Sequence, residues 1–196
     1  MISEFLFDFK KRLIEKGLDP MLPVIEPKKE IFEINTVGLF NKSRLQLILS
    51  QEETKFLSYF LNQQEKSALW ANKGETTFTI DTNKVKTKYW ILTPKGKQPY
   101  IDVQILIEGR IEETSQKIDN SQLSIYEKAA AKQVEQQMKA LLEKIQSANL
   151  DPIGFGLHYR ARHFSKNDWE EWKKIYPTIK FKVKSKVQIS DTGLIE

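Results

Sequence analysis

The chain has 196 residues, 40% of them hydrophobic, which is long enough for one substantial core with a small appendage and excludes wholesale disorder. Its 31 basic residues are interspersed with 26 acidic ones for a net charge of +5, so attraction to an anionic partner is open to it, but a solvated surface is expected before a nucleic-acid footprint. The absence of cysteine excludes disulfides, thiolate zinc sites and thiol nucleophiles, and suits oxidising and reducing surroundings equally.

The first segment, MISEFLFDFKKRLIEKG, alternates apolar and charged residues. It has neither the continuous apolar core of a signal peptide nor the length of a membrane span, and the chain as given reads as water-soluble. Phe5, Phe9, Leu13 and Ile14, with Leu6 beside them, recur at helical spacing. They predict a helix from about Ser3 to Lys16, with Ser3 as its N-cap and Gly17 at its end. Pro20, Pro23 and Pro27 then force extended or turn geometry over residues 18–29, a linker-like stretch between this helix and the main body.

Strand patterns begin at Glu30, where IFEINTVGLF, a turn at NKS and RLQLILS read as a hairpin. Ser50 and Glu53 form a capping box for a helix carrying Phe56, Leu57, Phe60 and Leu61. Strands resume through ETTFTIDTNKVKTKYWIL, turn at TPKGKQP, and continue in YIDVQILIEGRI. There Ile101, Val103, Ile105, Ile107 and Ile111 share one face while Asp102, Gln104, Glu108 and Arg110 share the other. Residues 122–148 make the longest helix, with Leu123, Tyr126, Ala130, Val134, Met138, Leu141 and Ile145 as its apolar stripe.

Beyond that helix, Asp151 and Pro152 read as an N-cap and first helical residue of a short helix with Ile153, Leu157, Ala161 and Phe164 on one face. Gly154 and Gly156 weaken such a helix, so close approach of another backbone or an aromatic ring is their expected use. Phe155 and Tyr159 fall on a second face, with Arg160 and Arg162 nearer solvent. Ser165 and Asp168 are expected to cap a helix presenting Trp169, Trp172 and Ile175, which Pro177 closes. In the last strand Ile179, Phe181, Val183, Val187 and Ile189 alternate with Lys180, Lys182, Lys184 and Lys186. Strands with one apolar and one polar face imply a sheet covered on one side, the habit of antiparallel sheets. The fold class is α+β, a mainly antiparallel sheet with helices, including one long amphipathic helix, packed on one face.

Chemistry-bearing residues are sparse. His158 and His163 are the only imidazoles, and five-residue spacing on a helix turns them about 140° apart, too far to share a metal. Gly-Phe-Gly at 154–156 follows a long helix rather than a strand and lacks the further glycines or the Gly-Lys-Ser element of a phosphate loop. No serine, histidine and carboxylate set assembles, and adjacent pairs such as Glu52 with Glu53, Glu112 with Glu113 and Glu170 with Glu171 read as solvated surface, so no catalytic residue, cofactor or metal site is expected. The terminal lysines read first as protection of an edge strand. Their functional reading is a contact with acidic lipid headgroups or an acidic partner loop. Nucleic acid is disfavoured, because no aromatic residue is interleaved on the lysine face to stack bases.

The order of these elements resembles the C-terminal domain of the Ger(x)C family, the C subunits of bacterial spore germinant receptors. Ile145 and Gln146 match the end of the family's long helix, and Asp151, Gly154, Phe155 and Gly156 match its central element. Trp169 and Trp172 match the family's tryptophan helix, Gly193, Leu194 and Ile195 match the end of its terminal strand, and Gly38, Leu39, Phe40, Leu45, Glu52, Glu53 and Thr54 match upstream. Two positions depart from the pattern: Pro152, where the family more often has a β-branched or apolar residue, and Phe164 with Ser165, where it has a proline.

The resemblance covers about residues 36–196, and implies a germinant-receptor domain there with residues 1–35 as a helix and Pro-rich connector from a preceding domain. It further implies a lipoprotein on the outer surface of the spore inner membrane, working with A and B subunits. This chain is then a soluble C-terminal fragment, without the signal peptide, lipid-anchored cysteine and two earlier domains. The expected function is non-enzymatic assembly through Phe155, Arg160, Arg162 and Trp169, with Lys180, Lys182, Lys184 and Lys186 as an anionic contact. The competing expectation is small-molecule binding, with Trp90 and Tyr100 lining a pocket beside their turn.

Overall fold

A computed structural model describes residues 2–63, 66–163 and 165–191. Phe164, Gly193, Leu194 and Ile195, to which the sequence patterns assign places, lie outside the described residues. The order of elements is α1 (Leu6–Ile14), β1 (Met21–Pro27), β2 (Phe32–Phe40), β3 (Leu45–Leu49), α2 (Gln51–Leu61), β4 (Ser67–Lys73), β5 (Thr76–Leu92), β6 (Tyr100–Thr114), α3 (Leu123–Ser147), α4 (Phe155–Arg160), α5 (Asp168–Ile175) and β7 (Lys180–Ile189).

The strands form two sheets rather than one: β1-β2-β3, and β4-β5-β6-β7. The small sheet is antiparallel, and in the large one β7 joins β6 in parallel, pairing Ile101 with Phe181 and Ile107 with Val187. A parallel neighbour needs a long crossover, and residues 115–179, with three helices, supply it. The alternation in β7 reports that one face is covered and carries no information on direction.

The linker-like residues 18–29 are integrated into the fold. Strand β1 pairs with β2 from Met21 opposite Leu39 to Pro27 opposite Phe32, and it tolerates Pro23 and Pro27 because it is an edge strand. Met21 is fully buried, and the expected division at residue 35 falls inside β2. Helix α1 is shorter than its pattern, beginning at Leu6 without a side-chain cap from Ser3. None of its residues is buried; Phe9 makes an aromatic contact, edge-on to Phe40.

The Ser50–Glu53 capping box is present in full: Glu53 N–H donates to Ser50 Oγ at 3.2 Å and Ser50 N–H to Glu53 Oε2 at 2.8 Å. Leu57, Phe56 and Tyr59 of α2 meet Ile80, Ile101 and Val103 of the large sheet and Val134, Met138 and Leu141 of α3 in one core. Helix α3 also secures both edges of the large sheet. On one flank Gln133 accepts from Asn72 N–H at 3.3 Å and donates to Trp70 C=O at 3.3 Å on β4. On the other, Glu135 and Glu127 accept from Ser185 and Ile189 N–H on β7, each at 2.8 Å. Edge groups otherwise open to another strand are thereby occupied by helix side chains. Among the described residues no helix is long and apolar enough to cross a membrane.

Candidate functional site

The segment after α3 is organised around one carboxylate. Asp151 is buried, and its Oδ1 accepts from Gly154 N–H at 2.8 Å and Phe155 N–H at 2.9 Å, while Oδ2 accepts from Gly156 N–H at 2.7 Å. Three donors at the start of α4 are thus satisfied by one side chain, as an N-cap does. The helix starts at Phe155, three residues later than the Asp151–Pro152 reading, because Gly154 turns the chain at φ +88° before it. Burial, with a smaller push from neighbouring Asp19, raises the Asp151 carboxyl to about 7 against the pull of those three donors.

The same residue locks the N-terminal segment to the joint. Asp151 N–H donates to Asp19 Oδ2 at 2.7 Å, and Asp19 N–H donates to Asp151 C=O at 2.8 Å. Arg12 pairs with Glu4 at 2.6 Å and donates to the carbonyls of Pro152 and Asp19. Lys42 donates to the carbonyls of Arg12, Glu15 and Leu18, closing the end of α1 and the turn after it. Burial lowers the Lys42 ammonium from its ordinary value, and Asp19 opposes that shift.

Gly156 is present for close approach. A Cβ there would stand 2.5 Å from Trp172 Nε1 and 2.8 Å from Gly17 Cα, while Leu157 N–H donates to Gly17 C=O at 2.9 Å. The expected neighbours, a backbone and an aromatic ring, are both found. Tyr159 stacks on His163 at 3.9 Å between ring centres and reaches Trp172, which stacks on Tyr176. Tyr176 hydroxyl donates to Leu150 C=O, and Gln146 Nε2 donates to the carbonyls of Tyr176 and Ile179, so the Gln146 of the helix end ties α3 to the turn entering β7.

The faces of α4 differ from the sequence reading. Phe155 is 1% exposed, with its ring against Phe60, Tyr89 and Phe181; it is a core residue and leaves the expected partner surface. Two apolar sets at four-residue spacing compete on this short helix, and the bulkier Phe155 and Tyr159 turn inward while Ile153 and Leu157 are half-buried and Ala161 is exposed. Arg160 is half-buried, donating to Lys16 C=O at 3.2 Å with its Nε 3.5 Å from Asp168 Oδ2. Arg162 is exposed, and Trp169 is half-buried with the Lys173 ammonium 6.0 Å from its ring centre. Helix α5 begins after Asn167 rather than under a Ser165 cap, and Asp168 accepts from the adjacent Trp169 N–H.

The two histidines have separate partners. His158 Nδ1 lies 3.3 Å from Tyr89 hydroxyl, and burial, with Arg162 nearby, lowers its titration point. His163 Nδ1 meets Tyr159 C=O at 2.9 Å. Burial, reinforced by Asp151, pushes the Tyr89 phenol up to about 12.

The remaining candidates lie on the large sheet. Lys180, Lys182, Lys184 and Lys186 all face solvent while Phe181, Val187 and Ile189 are buried. Trp90 and Tyr100 sit on that same open face, and Tyr100 carries the Lys182 ammonium 3.5 Å from its ring centre. They do not line the groove of about 1020 Å³ found elsewhere, whose walls include Asn35, Glu52, Thr54, Lys55 and Trp70. The lysines at 84, 86 and 88 were missed from the sequence, although NKVKTKYW alternates them as plainly as the last strand does.

This mixed architecture has a counterpart among solved structures. It superposes on the crystal structure of the GerBC protein with a TM-score of 0.76 over 89% of this chain and 57% of that one, at 21% sequence identity. The family model described as spore germination B3/GerAC-like, C-terminal, matches residues 35–193. The chain therefore belongs to that family. It is also similar to spore germination protein GerQC of Bacillus cereus, at 25% identity over 97% of this chain and 54% of the relative. Spore germination protein KC of Bacillus subtilis (strain 168) is 29% identical over 95% of this chain and 52% of its own length. The chain spans about half the length of the curated relatives it matches.

Proposed function

We propose that this chain is a non-enzymatic assembly domain of a germinant receptor, associating with the A and B subunits at the outer surface of the spore inner membrane and supporting nutrient-triggered germination. In the whole protein a lipid anchor outside this chain would hold it there. One observation carries the reading: Arg162 is exposed near the half-buried Trp169, at a joint whose neighbouring polar groups are engaged within the fold. Arg and Trp are the residue types that protein interfaces favour at their anchors. The relatives' names, which describe germination proteins and no enzyme, support the same class.

Co-purification of the chain with membrane-extracted A and B subunits tests this. Arg162→Glu combined with Trp169→Ala is expected to weaken association at least tenfold, the scale of one interface anchor. Association that survives unchanged sinks the reading. Arg160 is the poorer probe, since its guanidinium also holds Lys16 and Asp168.

Small-molecule binding has one observation in its favour, the groove beside α2, into whose wall Thr54 brings a buried hydroxyl without a hydrogen-bond partner among the described residues. A thermal-shift screen with amino acids and sugars tests it; a rise of several degrees that Thr54→Val abolishes supports this second reading, and a flat screen removes it.

A further inference from the structure

The register of the large sheet assembles a charged surface larger than the terminal stripe. On its outer face Lys84 stands opposite Glu108, Lys86 opposite Leu106 and Lys88 opposite Gln104 on β6. Across β6, Asp102, Gln104 and Leu106 stand opposite Lys182, Lys184 and Lys186, and Tyr100 opposite Lys180. Seven lysines from β5 and β7 therefore flank a central strand that offers two carboxylates, Asp102 and Glu108. Lys84 pairs with Glu108 at 2.7 Å, and Lys182 lies over Tyr100. The other five have no ion pair among the described residues.

Edge protection explains why each strand carries lysines, and the register adds that both rows share one face. Strand β7 is an edge, and β4 pairs with β5 only from Thr76 to Thr82, so the stretch of β5 that carries Lys84, Lys86 and Lys88 also has one side without a strand partner. Three exposed lysines on β5 share one face with four on β7, the next strand but one, and make a grid with spacing of about 7 Å along the strands and about 10 Å across them.

We propose that this sheet face docks directly on an anionic lipid bilayer. The inference goes beyond subunit assembly and does not depend on it. An open face without a cleft suits a planar partner. The cations are lysines, hydrated point charges that protein interfaces disfavour and that bilayer surfaces attract. Trp90, 38% exposed, and Tyr100 lie together at one end of the grid beside the turn that carries Lys95 and Lys97, as amphipathic rings do at a headgroup boundary. Nucleic acid would want aromatic rings interleaved along the whole grid, and here Trp90 and Tyr100 stand only in the rows of Lys182 and Lys180 at one end.

Flotation of the 196-residue chain with vesicles tests the proposal. Binding is expected to vesicles of phosphatidylcholine and phosphatidylglycerol in equal parts, to be absent from phosphatidylcholine alone, and to fall as salt is raised. Each lysine removed is expected to weaken partitioning about fivefold, so Lys84→Gln, Lys86→Gln and Lys88→Gln together weaken it about a hundredfold. The corresponding triple Lys→Arg variant retains binding, and far-UV circular dichroism with a thermal melt establishes that both variants are folded. No binding to the anionic vesicles at low salt, binding indifferent to the Gln variant, or preference for polyglutamate or a random oligonucleotide over the vesicles overturns the proposal.

Discussion

The joint at Asp151 and the lysine face of the large sheet use charge in opposite ways. At the joint a single carboxylate is taken out of water and answered by three backbone donors, and Arg12, Asp19 and Lys42 around it are each tied to named carbonyls or N–H groups. On the sheet, five of seven lysines are left to solvent. Removing a group from the first region leaves buried donors unanswered, and removing one from the second costs the fold almost nothing. The difference separates residues that build the domain from residues available to a partner, although both kinds are polar and both recur at regular spacing in the sequence.

Asp151→Ala should break the joint outright. Three buried N–H groups lose their acceptor, and at about 1 kcal/mol or more each the loss is at least about 3 kcal/mol. Urea unfolding measures it. Gly156→Ala comes next, at about 2 kcal/mol in the same experiment, because the new methyl would meet Trp172 and the backbone of Gly17, neither of which has room to yield.

The joint also gives stability a pH dependence. The folded protein holds the Asp151 proton up to about 7, whereas the unfolded chain releases it near 3.8, so the folded state binds more protons over that window. Stability due to this group is therefore greatest below the lower value, falls as pH rises through the window, and levels off above the upper one. Asp151→Asn, whose amide oxygen can still accept two of the three donors, should flatten that slope at a cost of about 1 kcal/mol or more for the third. Thermal melts of the two proteins across the window check both effects.

Ser50→Ala removes the α2 cap and should cost about 1 kcal/mol. Smallest per site, the Gln substitutions of Lys84, Lys86 and Lys88 should each change unfolding free energy by no more than about 0.5 kcal/mol. A larger loss there would erase the contrast between the two regions.

The sequence carried local structure further than it carried assembly. The capping box, the α3 stripe and the alternation in β6 and β7 were legible because each is a short-range pattern that one buried face enforces. The second sheet was not, because Pro23 and Pro27 signal extended backbone without saying that a strand partner exists. The parallel pairing of β7 was also hidden, since periodicity is blind to direction.

In the joint, Asp151 was legible as a cap and Gly156 as a point of close approach, whereas the burial of Phe155 depended on a pocket made by Phe60, Tyr89 and Phe181, which are remote in sequence. The lysines of β5 were visible individually, and only the register with β6 and β7 shows that they share a face with the terminal four.

The most direct test joins the two properties, fold and association, in one protein. Arg162→Glu with Trp169→Ala is assayed for co-purification with the A and B subunits alongside its urea midpoint. The expected result is a variant that still unfolds cooperatively, its midpoint lowered by the lost packing of Trp169, with association weakened at least tenfold. Undiminished association by the folded variant would contradict the assembly role.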